Sequence, residues 1–466
     1  MIQTIRKAWG IPELRKKIIF TLLILLIFRI GNAIPVPFVN VKLLSAYLAG
    51  QSTTILGLYN VMSGGAFAQA TLFALSIQPY INASIIIQLL TVAIPALERL
   101  AKDGGEEGKK KIQSITRYAT IAIALLQGWG YFLMMKNYGL LNVADPTIWH
   151  ALVIIVSFVA GSSFVMWMGE QVTEFGVGNG ISIILFAGIL SRVPTMVSSM
   201  ITNVQTWSAV KAGTITLDSL TQSYTAEGYG ATQAAQMAQN RLDSALAPWA
   251  VVLILVGVLA LIVFIVFIND AERRIPVQYA KRQVGRKMYG GQTTNLPMKV
   301  SMAGVLPIIF AQSIASLPAT IMAFTGVGDE NSFSYKLSQF IDTKSVLYMF
   351  IYFLLIIGFS YFYSSIQFNP VEIANNLKKQ GGFIPGFRPG KPTVDFIKRV
   401  LNKITLFGAI YLGIVAICPL LLGKIVGNGS LSIGGTSVII VVGVALETVK
   451  ALESQMLMRQ YKGFLE

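Results

Sequence analysis

Cysteine and histidine are almost missing from this sequence. Cys418 is the only cysteine and His150 the only histidine among 466 residues. One thiol excludes an internal disulfide and a cysteine-rich metal site, and one imidazole excludes any centre that needs two. Charge is also scarce. Asp, Glu, Lys and Arg make up 12% of the chain, against roughly 25% in a soluble domain. No G-x-x-x-x-G-K-[ST] occurs, so the chain has no phosphate loop of its own. FGVGNGIS (175–182) has glycines at a dinucleotide-like spacing but no preceding strand, and reads better as a tight turn with Asn179 near a helix N-terminus. The apolar runs contain no mid-membrane acids of the kind a proton-coupled pump needs. Glu170 and Glu447 fall at helix ends, where solvated carboxylates are normal. Arg29 is the one clear charge inside an apolar run, placed near its exit where it can snorkel.

What the chain has in excess is oil. Hydrophobic residues make up 54% and the mean hydropathy is +0.64. A membrane-spanning helix needs ~20 apolar residues. Runs of that kind occur at about 18–35, 71–94, 117–136, 150–169, 180–200, 249–268, 302–323, 346–366, 401–422 and 433–452. Irregular backbone is barred from lipid, so all ten are predicted to be helices. The first is too long for a signal peptide core and is followed by NAIPVP rather than a small-residue cleavage site.

The net charge of +16 is unevenly distributed. Lys and Arg crowd the N-terminal arm (Arg6, Lys7, Arg15, Lys16, Lys17), the connections after spans 2, 6 and 8, and the C-terminal tail. The positive-inside rule then puts both termini and the even-numbered loops in the cytoplasm. The 170–180 loop, with Glu170, Glu174 and no Lys or Arg, breaks the pattern locally.

Two outer segments are long. GLYNVMSGGAFAQA (57–70) is too polar to span yet more apolar than a solvated loop, which predicts a short re-entrant or pore-lining helix. The 201–248 segment is polar, and TAEGYGATQAAQMAQNRLDS within it predicts a short exposed helix. It divides the chain into an N-terminal half (1–200), an outer connection (201–248) and a C-terminal half (249–466). Five spans on each side imply repeats of inverted topology.

Two spans carry polar faces. Gln78 and Asn82 share one face of span 2, beside Ile77, Ile81 and Ile85; Ile309, Gln312, Ser313 and Ser316 share one face of span 7. Amides in lipid are costly unless paired or wetted. Interhelical hydrogen bonding in a static bundle is one reading, and a separable seam beside an aqueous path is the other. Pro79, Pro307 and Pro318 allow local bends, and isoleucines beside a water path form a constriction that resists ions. The basic loops at about 269–301 and 367–400 suit docking to an anionic surface.

SGGAFAQATLFALSIQPYINASIIIQLL (63–90), WMGEQVTEFGVGNGISIILFAGI (167–189), RRIPVQYAKRQVGRKMYGGQTTNLPMKVSMAGVLPIIFAQSI (273–314), FNPVEIANNLKKQGGFIPGFRPGKPT (368–393) and GGTSVIIVVGVALE (434–447) together resemble the SecY family, over essentially 1–200 and 249–466. The resemblance implies an all-α polytopic membrane protein of ten transmembrane helices. These form two pseudo-symmetric five-helix halves around a central hourglass pore with a short plug helix. It implies a pore ring of Ile77, Ile81, Leu185, Ile309 and Ile440. It places the plug on Gly57, Leu58, Tyr59, Asn60, Val61, Met62, Ser63, Gly64 and Gly65. The lateral gate then lies between spans 2–3 and 7–8, with Gln78, Asn82, Gln312, Ser313 and Ser316. Motor or ribosome docking falls on Arg273, Arg274, Lys281, Arg282, Arg286, Lys287 and Arg388.

The implied function is passage of unfolded, signal-bearing polypeptides across the bacterial cytoplasmic membrane, with apolar segments released into lipid. No cofactor and no catalysis are implied. The implied partners are SecE and SecG as small membrane subunits, the SecA ATPase, the ribosome and anionic lipids. The 201–248 connection is longer than the family leads one to expect. A secondary transporter of a small solute would want a midplane ion pair, a membrane-embedded transferase a metal or acid motif, and neither appears. A non-transporting scaffold leaves the plug-like segment unexplained.

Overall fold

The structure is a computed structural model and describes the backbone of residues 2–50, 55–102, 104–143, 145–226, 230–279, 282–284, 287–289, 293–300, 304–325, 345–426 and 429–462. The first half comprises α1 (Ile2–Trp9), α2 (Pro12–Gly31), α3 (Val41–Gly50), α4 (Ile55–Met62), α5 (Gln78–Ala93), α6 (Pro95–Lys102), α7 (Gly105–Asn137), α8 (Ile148–Phe175), α9 (Gly180–Leu190) and α10 (Val193–Lys211). Two outer helices follow, α11 (Leu217–Ala226) and α12 (Ala231–Asp243). The second half holds α13 (Pro248–Asp270), β1 (Glu272–Tyr279), β2 (Arg282–Val284), β3 (Lys287–Tyr289), β4 (Thr293–Lys299), α14 (Leu306–Thr325), α15 (Val346–Gln367), α16 (Pro370–Lys379), β5 (Gly382–Phe383), α17 (Lys391–Val426) and α18 (Gly429–Lys462).

Each of the ten apolar runs coincides with a helix: α2, α5, α7, α8, α9 with the start of α10, α13, α14, α15, α17 and α18. Six described helices are long and apolar enough to cross a membrane by themselves, or seven if α5 and α6, bent by 105°, count as one. α2 falls short because Arg15, Lys16, Lys17 and Arg29 interrupt its apolar stretch, and α14 runs from Leu306 to Thr325 with Pro318 inside it. The sequence predicts span 2 from residue 71, but the helix begins at Gln78. Pro79 sits in its first turn, where a missing N–H costs nothing and the fixed φ favours a start. Pro307 likewise stands in the first turn of α14, so of the three prolines only Pro318 lies inside a helix.

Residues 71–77 are turns, clamped from both sides. Phe73 lies over Gly31 of α2, where an added Cβ would meet its ring at 1.9 Å, and the Leu72 carbonyl lies 1.8 Å from the Cβ position of Gly161 on α8. Ser162 Oγ donates to the Ser76 carbonyl at 3.1 Å. Two small residues on neighbouring helices thus let this turn approach and fix where α5 starts.

The halves meet along two seams. α14 packs on α5 and α7; α18 packs on α9 and α1. Below the seams one continuous apolar core draws on both halves. Outside the bundle, α10 to α12 close over Leu220, Ala234, Ala238 and Leu246, and α12 rests on α3. The predicted outer helix is therefore one of two, packed into a small cap.

The two basic loops are not separate. β1 pairs with β4 antiparallel, Glu272↔Lys299 to Gln278↔Thr293, and also with β5 through Gln278↔Phe383 and Tyr279↔Gly382. The resulting sheet order is β4-β1-β5, and β2 and β3 form their own hairpin. Along β1, Ile275 and Val277 face in while Arg273 and Arg274 face out. Ile275, Val277, Met298, Ala374, Leu377, Ile384, Ile397 and Leu401 make a second core. The spans remain helical; the addition is a small folded head built by both loops.

Candidate functional site

The five residues expected at the pore ring come from four helices and the turn before α5. Ile77 is 0% exposed, Ile81 4%, Leu185 1%, Ile309 3% and Ile440 2%, and all belong to the same apolar core. Ile77 Cδ1 lies 3.2 Å from where a Cβ on Gly169 of α8 would stand. All five side chains are apolar and buried.

The segment expected as a plug is α4 and the turn that follows it. The sequence places the helix over 57–70; it runs from Ile55 to Met62, and 63–70 are turns. The helix stops because Gly64 and Gly65 take φ of +71° and +92°, values that favour glycine. Gly64 is also tight: a Cβ there would meet Ser191 Oγ at 2.8 Å and the Gly188 carbonyl at 2.9 Å. Asn60 Oδ1 accepts from Ala68 N at 3.0 Å, and Ser63 Oγ accepts from Phe67 N at 3.0 Å. Gly57, Tyr59, Val61, Met62 and Ser63 are buried, Leu58 lies within the helix, and Asn60 is half-buried. Tyr131 Oη of α7 donates to the Phe67 carbonyl, and the two rings stack at 4.3 Å. α4 touches α9 of one half and α14 and α18 of the other. It therefore bridges the halves.

The expected gate residues all lie buried: Gln78 and Asn82 on α5, and Gln312, Ser313 and Ser316 on α14. Among the described residues Gln78 Oε1, Asn82 Nδ2, Gln312 Oε1 and Ser313 Oγ have no hydrogen-bond partner. Ser316 Oγ donates to the Ser313 carbonyl at 2.8 Å. Thr320 continues the stripe one turn on, and its Oγ1 is hydrogen bonded to Tyr59 Oη at 3.3 Å. This tie between α14 and α4 was not among the expected contacts, although the i+4 step from Ser316 signals it.

The docking residues are placed in part. Arg273 and Arg274 are exposed on β1, and Arg274 Nε pairs with Glu272 at 2.7 Å. Arg282 opens β2 and Lys287 opens β3. Lys281 and Arg286 lie outside the described residues. Arg388 is exposed on a turn held by Ile384 in the second core, by the Phe387–Phe396 ring pair at 4.2 Å, and by Thr393 Oγ1 donating to the Arg388 carbonyl at 2.8 Å.

Three smaller readings resolve. Asn179 Oδ1 caps α9, accepting from Ile181 N at 3.0 Å and Ser182 N at 3.4 Å, so the glycine-rich turn needs no nucleotide. Arg29 is exposed in the last turn of α2. Glu170, read as solvated, instead pairs with Arg117 of α7 at 2.8 Å and accepts from Gln113 Nε2 at 3.1 Å. The missing positive charge of the 170–180 loop is supplied by a neighbouring span.

A bundle of apolar helices with a short buried helix, α4, packed between its two parts is the architecture of a membrane channel, and comparison with known proteins agrees. The SecY family model matches residues 71–449. The protein translocase subunit SecY of Streptomyces scabiei is 40% identical over 476 residues, covering 100% of both chains. That of Mycobacterium tuberculosis H37Rv is 42% identical over 472 residues, 97% of each. Among solved structures, a protein conducting channel superposes with a TM-score of 0.58 at 16% identity, covering 95% of this chain and 92% of that one. Sec61 in the canine ribosome–channel complex gives 0.54 at 16% identity, with the same coverage. This chain belongs to the SecY family and is a multi-pass bacterial membrane protein.

Proposed function

We propose that this chain is the pore-forming subunit of a protein translocase, and that its closed state is held shut by apolar contact and poised to open by polar strain. Four polar atoms buried on facing helices without partners carry the reading. Each costs about 1–3 kcal/mol relative to a satisfied group. Water, or the backbone of an incoming chain, relieves that cost when α5 and α14 part. A signal helix entering there shifts the population toward the open form, because it binds that form better. The ring of Ile77, Ile81, Leu185, Ile309 and Ile440 closes around nothing larger than itself and excludes ions by dewetting. The segment Gly57–Gly65 seals the throat and swings aside on opening.

The chain does no work of its own. The exposed basic head, with Arg273, Arg274 and Arg388, receives the SecA ATPase or the ribosome, a role supported by the ribosome-bound Sec61 channel of the same fold. SecE and SecG cover lipid-facing helices, and anionic lipids meet the basic loops. Both termini and the head face the cytoplasm.

Site-specific photo-crosslinking tests this. With a crosslinker at Ile81 or Ile309 and a signal-bearing polypeptide arrested midway, signal-dependent adducts are expected. No adducts from a complex shown to be engaged with its motor would remove polypeptide from the throat.

A further inference from the structure

The junction between the basic head and α14 is fastened at three points. β4 ends at Lys299, and Val300 N donates to the Ala271 carbonyl at 3.0 Å. The Val300 carbonyl lies 2.4 Å from the Cβ position of Gly408 on α17, so any larger residue there would push the chain away. Val305 Cγ2 lies 2.0 Å from the Cβ position of Gly443 on α18. Between them Gly304, at φ +60°, leaves its Cβ position 2.2 Å from Glu447 Oε1. The Glu447 carboxylate accepts a hydrogen bond from the Val305 backbone N–H.

That bond falls where α14 begins. The Val305 carbonyl accepts from Ile308 N at 3.1 Å and Ile309 N at 3.3 Å, which makes Val305 the residue before the first turn. An apolar side chain cannot cap a helix, so the Val305 N–H at the start of α14 takes its acceptor from elsewhere. A carboxylate at a helix N-terminus is also favoured by the helix dipole. Glu447 comes from span 10 and is the group that supplies it. Lys299 and Lys450 act on the same carboxylate, and Lys450 Nζ is paired with Asp270 of α13 at 2.6 Å.

We propose that Glu447 is a positioning residue that pins the head-side end of α14 to α18, so that movement of the basic head tilts α14 about a fixed point instead of sliding it. Ile309 and Gln312 lie one to two turns beyond this pivot, and a small tilt there moves both the throat and the seam. The proposal rests on the reading of α14 as a gate helix and adds how docking reaches it.

The test uses the whole translocase complex in proteoliposomes with SecA as the docking partner. Glu447→Ala, Glu447→Asp and Gly443→Ala are compared by amide hydrogen exchange over 304–309, SecA affinity, and SecA-stimulated client transport. Glu447→Ala is expected to raise exchange and to cut the stimulation about tenfold, with SecA affinity unchanged. Glu447→Asp keeps the charge and restores most of both. Gly443→Ala, which displaces Val305 with Glu447 intact, reproduces the loss. Wild-type stimulation in Glu447→Ala overturns the proposal, as does lost stimulation with unchanged exchange. Ile309→Asn in the same bilayers is the control for the gate itself. If it raises no ion conductance, the gate reading fails, and the exchange result still reports whether the pin exists.

Discussion

The two seams between the halves are made of opposite materials. Where α1 and α18 close one side, Ala8, Leu14, Val177 and Leu452 form a small buried apolar cluster, packed by Ile11, Ile18 and Met456. Where α5 and α7 meet α14, the buried contact includes three amides, Gln78, Asn82 and Gln312, and Ser313, each with an atom unpartnered among the described residues. Separating the first exposes oil and recovers nothing. Separating the second satisfies groups that are paying for closure. Under the proposed function the first is the fixed side and the second the moving side, and the contrast assigns opposite signs to mutations in the two places.

The largest effect is expected from weakening the fixed side. Leu452→Ala removes a buried side chain from the small apolar cluster of that seam, and about 2–5 kcal/mol of stability should go with it. A lowered Tm of the purified complex and faster proteolysis between the halves would show it, while an unchanged Tm would mean that this seam holds nothing. On the moving side the sign reverses. Gln78→Leu with Gln312→Leu replaces two orphaned amides by apolar groups of similar size, stabilising closure by about 1–3 kcal/mol for each. The complex should melt later and transport signal-bearing clients more slowly; faster transport would contradict the assignment of the seam. The smallest change is Thr320→Val, which deletes the Tyr59 tie worth about 0.5–1.5 kcal/mol. Resting ion conductance in planar bilayers should rise slightly, and far less than for Ile309→Asn.

Local signals carried most of the architecture. Apolar runs located the ten helices, and Asn179 announced the cap of α9 because capping is decided within three residues. The polar stripe of α14 was visible at helical spacing. Other features depended on distant partners. Residues 71–77 are apolar enough to read as span, yet Gly31 and Gly161, on two other helices, hold them as a turn. Glu170 looked solvated because its partner, Arg117, comes from another span. The alternation of Ile275 and Val277 along β1 is a strand pattern. What it cannot show is that the third strand arrives with Gly382 and Phe383 from the next loop.

That shared sheet has a consequence for how the molecule is made. β1 is synthesised well before β5, and α14 and α15 must be produced between them. Until the second loop and the start of α17 are made, one edge of β1 has no partner and the second core lacks Ala374, Leu377, Ile384, Ile397 and Leu401. A half-made chain therefore displays basic residues without the head that presents them in order. The head is completed late in biosynthesis, after α14 has been made.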